Sequence, residues 1–208
     1  KALSLSFSVF TLIHVDKFLN GATDNSGVIL STLPATTKKV NKRAAILLLG
    51  TGGTIPAHRE EHMETACSIH EPITLHPFAF RTHTHKLGKV VAGYVIRQNG
   101  SWERIGKHDP LKPQMFYPVN KDMSIFQGDI VAARCTMNNF RDITTRIGST
   151  GKDEMCNFYM MYYVDGDRIL KDKFCFSAGP PMYRWQYDLS IGHIPPEIDS
   201  DASTLDVE

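Results

Sequence analysis

From residue 54 onward, turn chemistry cuts the sequence into short runs that are apolar or alternate in polarity. The runs are "FAFRTHTH", "KVVAGYVIR", "SWERIG", "MFYPV", "DIVAARCTM" and "MCNFYMMYYV"; between them lie "QNGS", "KHDPLKP" and "FQGD". Strand signals at such short intervals belong to sandwiches and barrels, and Asn, Asp, Gly and Pro between them supply the turns. No amphipathic helical pattern exceeds two turns, and no internal repeat is present. The pattern predicts an all-β chain, an antiparallel β-sandwich of jelly-roll type. "AAILLLGTGG" (44–53) reads as a buried strand stopped by glycines. Its "GTGGT" is not a phosphate loop, because no Gly-Lys-Ser/Thr follows and no helix begins there.

A chain of 208 residues with 42% hydrophobic content can bury a real core. A net charge of +1 gives no reason to propose nucleic acid or an anionic membrane as partner. Cys67, Cys135, Cys156 and Cys175 form no CxxC; an even count in a β-rich chain fits two disulfides and an oxidising compartment, with reduced core thiols as the other reading. The secretory pathway, a secretory granule or the extracellular space follows as the expected location. "NGS" (99–101) reads both as a glycosylation acceptor and as a plain Asn-Gly hairpin. "KALSLSFSVFTLI" at the start reads as a secretory leader or a buried strand. The acidic, proline-bounded "IPPEIDSDASTLDVE" reads as a disordered linker. His58, His62, His108 and His193 are assigned to surface loops.

"FAFRTHTHKLG" (78–88) demands a chemical explanation. Side chains alternate across a strand, so Arg81, His83 and His85 share one face. Two imidazoles spaced this way can reach one ion, and the cation beside them would serve an anionic ligand. In "EMCNFYMMYYV" (154–164), Met155, Asn157, Tyr159, Met161 and Tyr163 share a face, while Cys156, Phe158, Met160 and Tyr162 take the core. Nine histidines and eight methionines form a ligand set that favours copper or zinc over magnesium or calcium. Read from the residues alone, His-x-His remains either an exposed pair or a metal site, and nothing in the spacing makes the two strands neighbours.

The stretch from "FAFRTHTHKLGKVVAGYVIRQNGSWERIGKHDPLKPQMFYPV" through "GDIVAARC" to "DEMCNFYMMYY" resembles the copper type II, ascorbate-dependent monooxygenases. It is most similar to the second β-sandwich domain of the peptidylglycine α-hydroxylating enzymes, over about residues 44 to 176. Dopamine β-monooxygenases share the HTH and EMC elements, without the preceding arginine or the "CNFYMM" face. The resemblance implies that His83, His85 and Met155 ligate the oxygen-binding copper and form the catalytic centre. Arg81, Asn157 and Tyr159 would hold the C-terminal carboxylate of a glycine-extended peptide, with Met161 lining the pocket. The cysteines would pair as Cys67–Cys175 and Cys135–Cys156. The implied reaction hydroxylates the terminal glycine α-carbon, with copper, ascorbate as reductant and O2 as co-substrate, on the way to peptide amidation.

On that resemblance the chain divides into three parts. Residues 1–43 are the end of an N-terminal sandwich domain, or a leader and linker. Residues 44–185 are the C-terminal copper domain, and 186–208 the acidic tail. The family's electron-transfer copper uses an adjacent His-His pair and a later histidine in the N-terminal domain. The sequence contains no adjacent His-His. His14 matches the later histidine as a remnant ligand, but Leu12 and Asn25 stand where the family has glutamine and cysteine. The implied partners are a separate N-terminal copper domain, a peptide substrate and a lyase domain or enzyme. The alternative is a non-catalytic secreted domain that binds one copper or a peptide; a zinc-binding sandwich is the third reading.

Overall fold

The computed structural model describes residues 42–206 and the isolated positions 27, 29 and 31. The readings placed on the leader, on the strand at 28–34 and on Leu12, His14 and Asn25 lie outside the described residues. Eleven strands follow in order: β1 (Lys42–Thr51), β2 (Thr54–Ile55), β3 (Arg59–Ser68), β4 (His76–His83), β5 (Gly88–Ile96), β6 (Trp102–His108), β7 (Tyr117–Pro118), β8 (Ile130–Asn139), β9 (Thr145–Arg146), β10 (Asn157–Asp165) and β11 (Phe174–Ser177). One sheet runs β11-β1-β10-β4-β7, the other β3-β8-β5-β6, and β2 pairs β9. The pairings are antiparallel except β1 with β11, which is parallel. The all-β sandwich is the observed fold.

Between the two sheets lie Leu47, Leu49, Met63, Val91, Val95, Phe158, Met160 and Tyr162. The alternation read in "EMCNFYMMYYV" is obeyed: Cys156, Phe158, Met160 and Tyr162 are buried, and Met155, Asn157, Tyr159 and Met161 are half-buried. The Phe80 and Phe158 rings stack at 5.7 Å and press on glycines of the facing sheet. A Cβ on Gly93 would lie 2.4 Å from the Phe158 ring, and one on Gly106 2.4 Å from that of Phe80. Disulfides Cys67–Cys175 and Cys135–Cys156 join the sheets, β3 to β11 and β8 to the entry of β10. They close intervals of 108 and 21 residues, a restraint on the unfolded chain worth about 3–5 kcal/mol each.

Three points of the sequence reading are corrected. "REEHMETACS" was not recognised as a strand, yet it forms β3 along β8. The terminal segment, read as disordered, is ordered and packed through residue 206, the last one described. Residues Trp185–Tyr187 form a 3₁₀ turn, Pro196–Asp201 form a short helix α1, and Trp185, Ile191 and Ala202 are buried. They cover the outer face of the second sheet in a second core with Ala92, Tyr94, Ile96 and Ala132. That cover explains the polar outer residues of β3 and β8. Glu64 accepts from Arg134 Nε at 2.7 Å and from the Trp185 backbone N–H at 2.7 Å, while the Arg134 guanidinium lies 4.6 Å from the Trp185 ring centroid. Asp201 and Asp206 lie 2.8 and 2.7 Å from Lys107 Nζ, whose side chain is 3% exposed; a buried ammonium needs such partners. His62 and His108 also belong to strands rather than loops.

Candidate functional site

The geometry starts from the pairing of β4 with β10, with Asn157 opposite His83 and Tyr159 opposite Arg81. Directly paired residues point to the same side of a sheet. The face of β4 that carries Arg81 and His83 is therefore the face of β10 that carries Asn157, Tyr159 and Met161. β4 stops at His83, and residues 84–87 turn into β5. His85 sits in that turn, its ring centroid 5.5 Å from that of His83 and nearly perpendicular to it. Thr84 faces inward against Gly88, where an added Cβ would lie 2.1 Å from Thr84 Oγ1; Gly88 is what lets the turn close.

Both rings are held through Nδ1. His85 Nδ1 donates to the Asp153 carbonyl at 3.0 Å, so this nitrogen carries the proton. His83 Nδ1 bonds to Gln114 Oε1. The orientation of that amide is fixed, because Gln114 Nε2 donates to the carbonyls of Thr84 and Pro110, each at 3.1 Å. Oε1 must then accept, and His83 is also protonated at Nδ1. Among the described residues nothing hydrogen-bonds either Nε2, which leaves two imidazole lone pairs for a metal. Burial pushes the His83 imidazole below its ordinary pKa, helped by the nearby Arg81 charge and His85 and opposed by the Gln114 bond and Glu154. The neutral form, the one that ligates, is favoured.

Met155 lies at the entry to β10, with its sulfur 3.9 Å from Asn157 Nδ2, and Asn157 Nδ2 is 3.4 Å from the Tyr159 hydroxyl. Across β10, a Cβ on Gly50 would fall 2.8 Å from Asn157 Oδ1 and 2.6 Å from the Phe176 ring. Glycine there leaves room for both side chains. The Arg81 guanidinium lies 5.2 Å from the Tyr159 ring centroid, and its Nε is buried without a hydrogen-bond partner. Among the described residues no carboxylate pairs with it. The guanidinium, the Asn157 amide and the Tyr159 phenol thus offer donors of the kind that a carboxylate accepts.

Every described residue singled out for the site lies on this one face or at its β4–β10 end. Met161 pairs Ala79, two residues along β10 from Tyr159. His76 pairs Tyr163 and stacks on it at 4.7 Å. A bulge between Met161 and Tyr162 changes its parity, and it stands about 20 Å along the strand from Asn157. Sequence reasoning missed Gln114, Asp153 and Glu154, which support the ligand candidates from other loops. Among the described residues no three His, Cys, Asp or Glu side chains converge on one point. The third donor expected from the sequence, the Met155 thioether, is brought to the same end of the sheet, since the His85 and Met155 backbone N–H groups both donate to Glu154 Oε1. Two imidazoles and a thioether suit copper, above all Cu(I).

A family model described as "Copper type II ascorbate-dependent monooxygenase, C-terminal domain" matches residues 42–188. Peptidyl-glycine alpha-amidating monooxygenase A of Xenopus laevis is 37% identical over 191 residues, 90% of this chain and 20% of the frog protein. The Rattus norvegicus peptidylglycine alpha-amidating monooxygenase is 42% identical over 131 residues, 62% of this chain and 13% of the rat protein. Human dopamine beta-hydroxylase is 32% identical over 95 residues, 44% of this chain and 15% of that protein. The chain thus spans about a fifth or less of these relatives. It belongs to the copper type II ascorbate-dependent monooxygenases and carries the C-terminal copper domain of that family.

Proposed function

We propose that this chain is the oxygen-binding copper half of a monooxygenase that hydroxylates the α-carbon of the C-terminal glycine in glycine-extended peptides. The observation that supports the reading is a juxtaposition: at one end of the β4–β10 face, two imidazoles and a thioether stand beside an arginine, and among the described residues neither imidazole Nε2 is hydrogen-bonded and the arginine has no carboxylate partner. Copper, when bound, supplies one-electron redox chemistry toward O2, with ascorbate as the source of electrons. His83, His85 and Met155 would hold it, and the thioether favours the reduced ion. Arg81 receives the peptide carboxylate in paired charge-assisted bonds, and Asn157 and Tyr159 supply further donors. Arg81 and His83 are alternate residues of β4, roughly 6.5–7 Å apart. A carboxylate gripped at Arg81 therefore holds the adjoining α-carbon toward the metal end of the face, which is catalysis by positioning. Met161 lines the same face beyond Tyr159.

The remaining roles belong to partners and compartment: an N-terminal copper domain for electron delivery, a lyase that completes amidation, and the secretory pathway. The alternative reading is a secreted domain that binds one copper or a peptide without turnover. Copper content per folded chain, with X-ray absorption of the ascorbate-reduced protein, tests the metal site. About one copper with a sulfur scatterer that vanishes in Met155→Ile is expected. No copper, or a site without sulfur, would overturn the proposal; metal affinity unchanged in Met155→Ile would point to zinc, which rarely uses methionine.

A further inference from the structure

Glu154 is fully buried, and the bonds to its carboxylate come from backbone N–H groups. Oε2 accepts from Lys86 at 2.9 Å and Leu87 at 2.8 Å; Oε1 accepts from Met155 at 2.9 Å and also from His85. Its own backbone is tied elsewhere, with its N–H donating to the Arg146 carbonyl at 3.0 Å and its carbonyl accepting from Gly148 at 2.9 Å. One carboxylate, held from behind, thus grips two segments 69 residues apart in sequence. Each of those segments carries a candidate copper ligand.

Resting on the copper reading above, we infer that Glu154 is a positioning residue: it sets where His85 and Met155 stand relative to each other without touching the metal. A buried carboxylate is tolerated because the N–H dipoles offset its lost hydration. The arrangement needs both oxygens as acceptors. Glutamine fits the space, but its NH2 must then face either the His85 and Met155 amides or the Lys86 and Leu87 amides. Two donors oppose one another and that half of the clamp opens. Aspartate is one methylene too short to reach the turn from its anchored backbone.

The test compares wild type, Glu154→Gln and Glu154→Asp by Cu(I) affinity, X-ray absorption of the reduced form and amide hydrogen exchange. Supporting residues of metal ligands typically contribute about 10–100-fold in affinity. Glu154→Gln should therefore weaken Cu(I) binding at least about 10-fold and diminish the sulfur scatterer. It should also deprotect the amides of His85, Lys86, Leu87 and Met155 while those of β5 and β8 stay protected. A purely structural role predicts instead a loss of protection spread over the sandwich. Should neither variant fold, wild type still answers: Cu(I) loading must raise the protection of those four amides together, and no change would overturn the inference. Copper affinity and sulfur scattering unchanged in Glu154→Gln would defeat the role of Glu154 alone. Wild type that takes up no copper would defeat the ligand reading and this inference with it.

Discussion

Arg81→Ala should weaken binding of a peptide ending in glycine, and the loss should depend on the peptide's terminal charge. In the structure the guanidinium lies over Tyr159, with its Nε buried and unpartnered. Among the described residues the guanidinium makes no hydrogen bond or ion pair that substitution would sacrifice. A hydrogen bond to a charged group is worth about 1.5–3 kcal/mol net, and about 1.4 kcal/mol is a factor of ten. Removing the anchor should raise the Kd roughly 10- to 150-fold. The assay is a calorimetric cycle of two proteins and two peptides, identical except that one ends in glycine carboxylate and the other in glycinamide. Wild type should prefer the acid by that factor, and Arg81→Ala should bind both with the same weak affinity. A variant that keeps the acid preference would refute the argument, because the carboxylate would then be read elsewhere. Arg81→Met, which keeps an unbranched apolar stem, should unfold no earlier than wild type. A melting point lowered by several degrees would mean that the guanidinium holds the sheet together rather than a ligand.

Gln114→Leu should weaken metal binding about 10- to 100-fold, since it frees the His83 ring and its tautomer; titration with Cu(I) under a competing chelator would reveal the loss, and an unchanged affinity would leave Gln114 without a role. The docked tail should respond to acid. Burial alone would raise the Asp201 carboxyl, but bonds from Lys107 and Tyr94 and the Arg104 charge bring it below its ordinary value, and Lys107 holds Asp206 low as well. A depressed carboxyl stabilises fully above its unfolded pKa of about 3.9 and ceases to do so as pH falls through the lower folded value. The tail should therefore stay docked at neutral pH and release only in acid below about pH 4. The two tryptophans, Trp102 and Trp185, lie 5.2 Å apart in the core beneath it and report the release by fluorescence; a transition centred near neutrality would contradict the assignment.

How far the fold could be read depended on where each residue's partner lies. β4 and β10 were legible because an alternating face opposite a packed core writes itself into consecutive residues. The parity of Arg81 and His83 held, whereas His85 lies beyond the strand end and meets the His83 ring from the turn. β3 was illegible because its polar outer residues are covered from far away: Glu64 meets the backbone of Trp185 across 121 positions. The acidic tail misled for the same reason. Asp201 looks like solvent-seeking charge until Tyr94, Arg104 and Lys107 are found around it, at separations of 94 to 107 residues. Local composition reports how polar a segment is, not whether something distant neutralises it.

The candidate site divides along the same line. Residues that offer atoms directly to a ligand must carry the right chemistry on the right face, so His83, His85, Met155 and Arg81 leave a pattern in the chain. Residues that aim those atoms need only reach a backbone amide, a carbonyl or the far nitrogen of a ring. The bonds from Gln114 to His83 and from Glu154 to the amide of His85 span 31 and 69 positions, and neither has a spacing that marks it. Orientation of metal ligands depends on such supports, which makes the stability of the 84–87 turn inseparable from the chemistry it presents. A substitution that loosens the turn should lower metal affinity even where every ligand is intact. The surest place to see that coupling is the pair of segments that Glu154 joins.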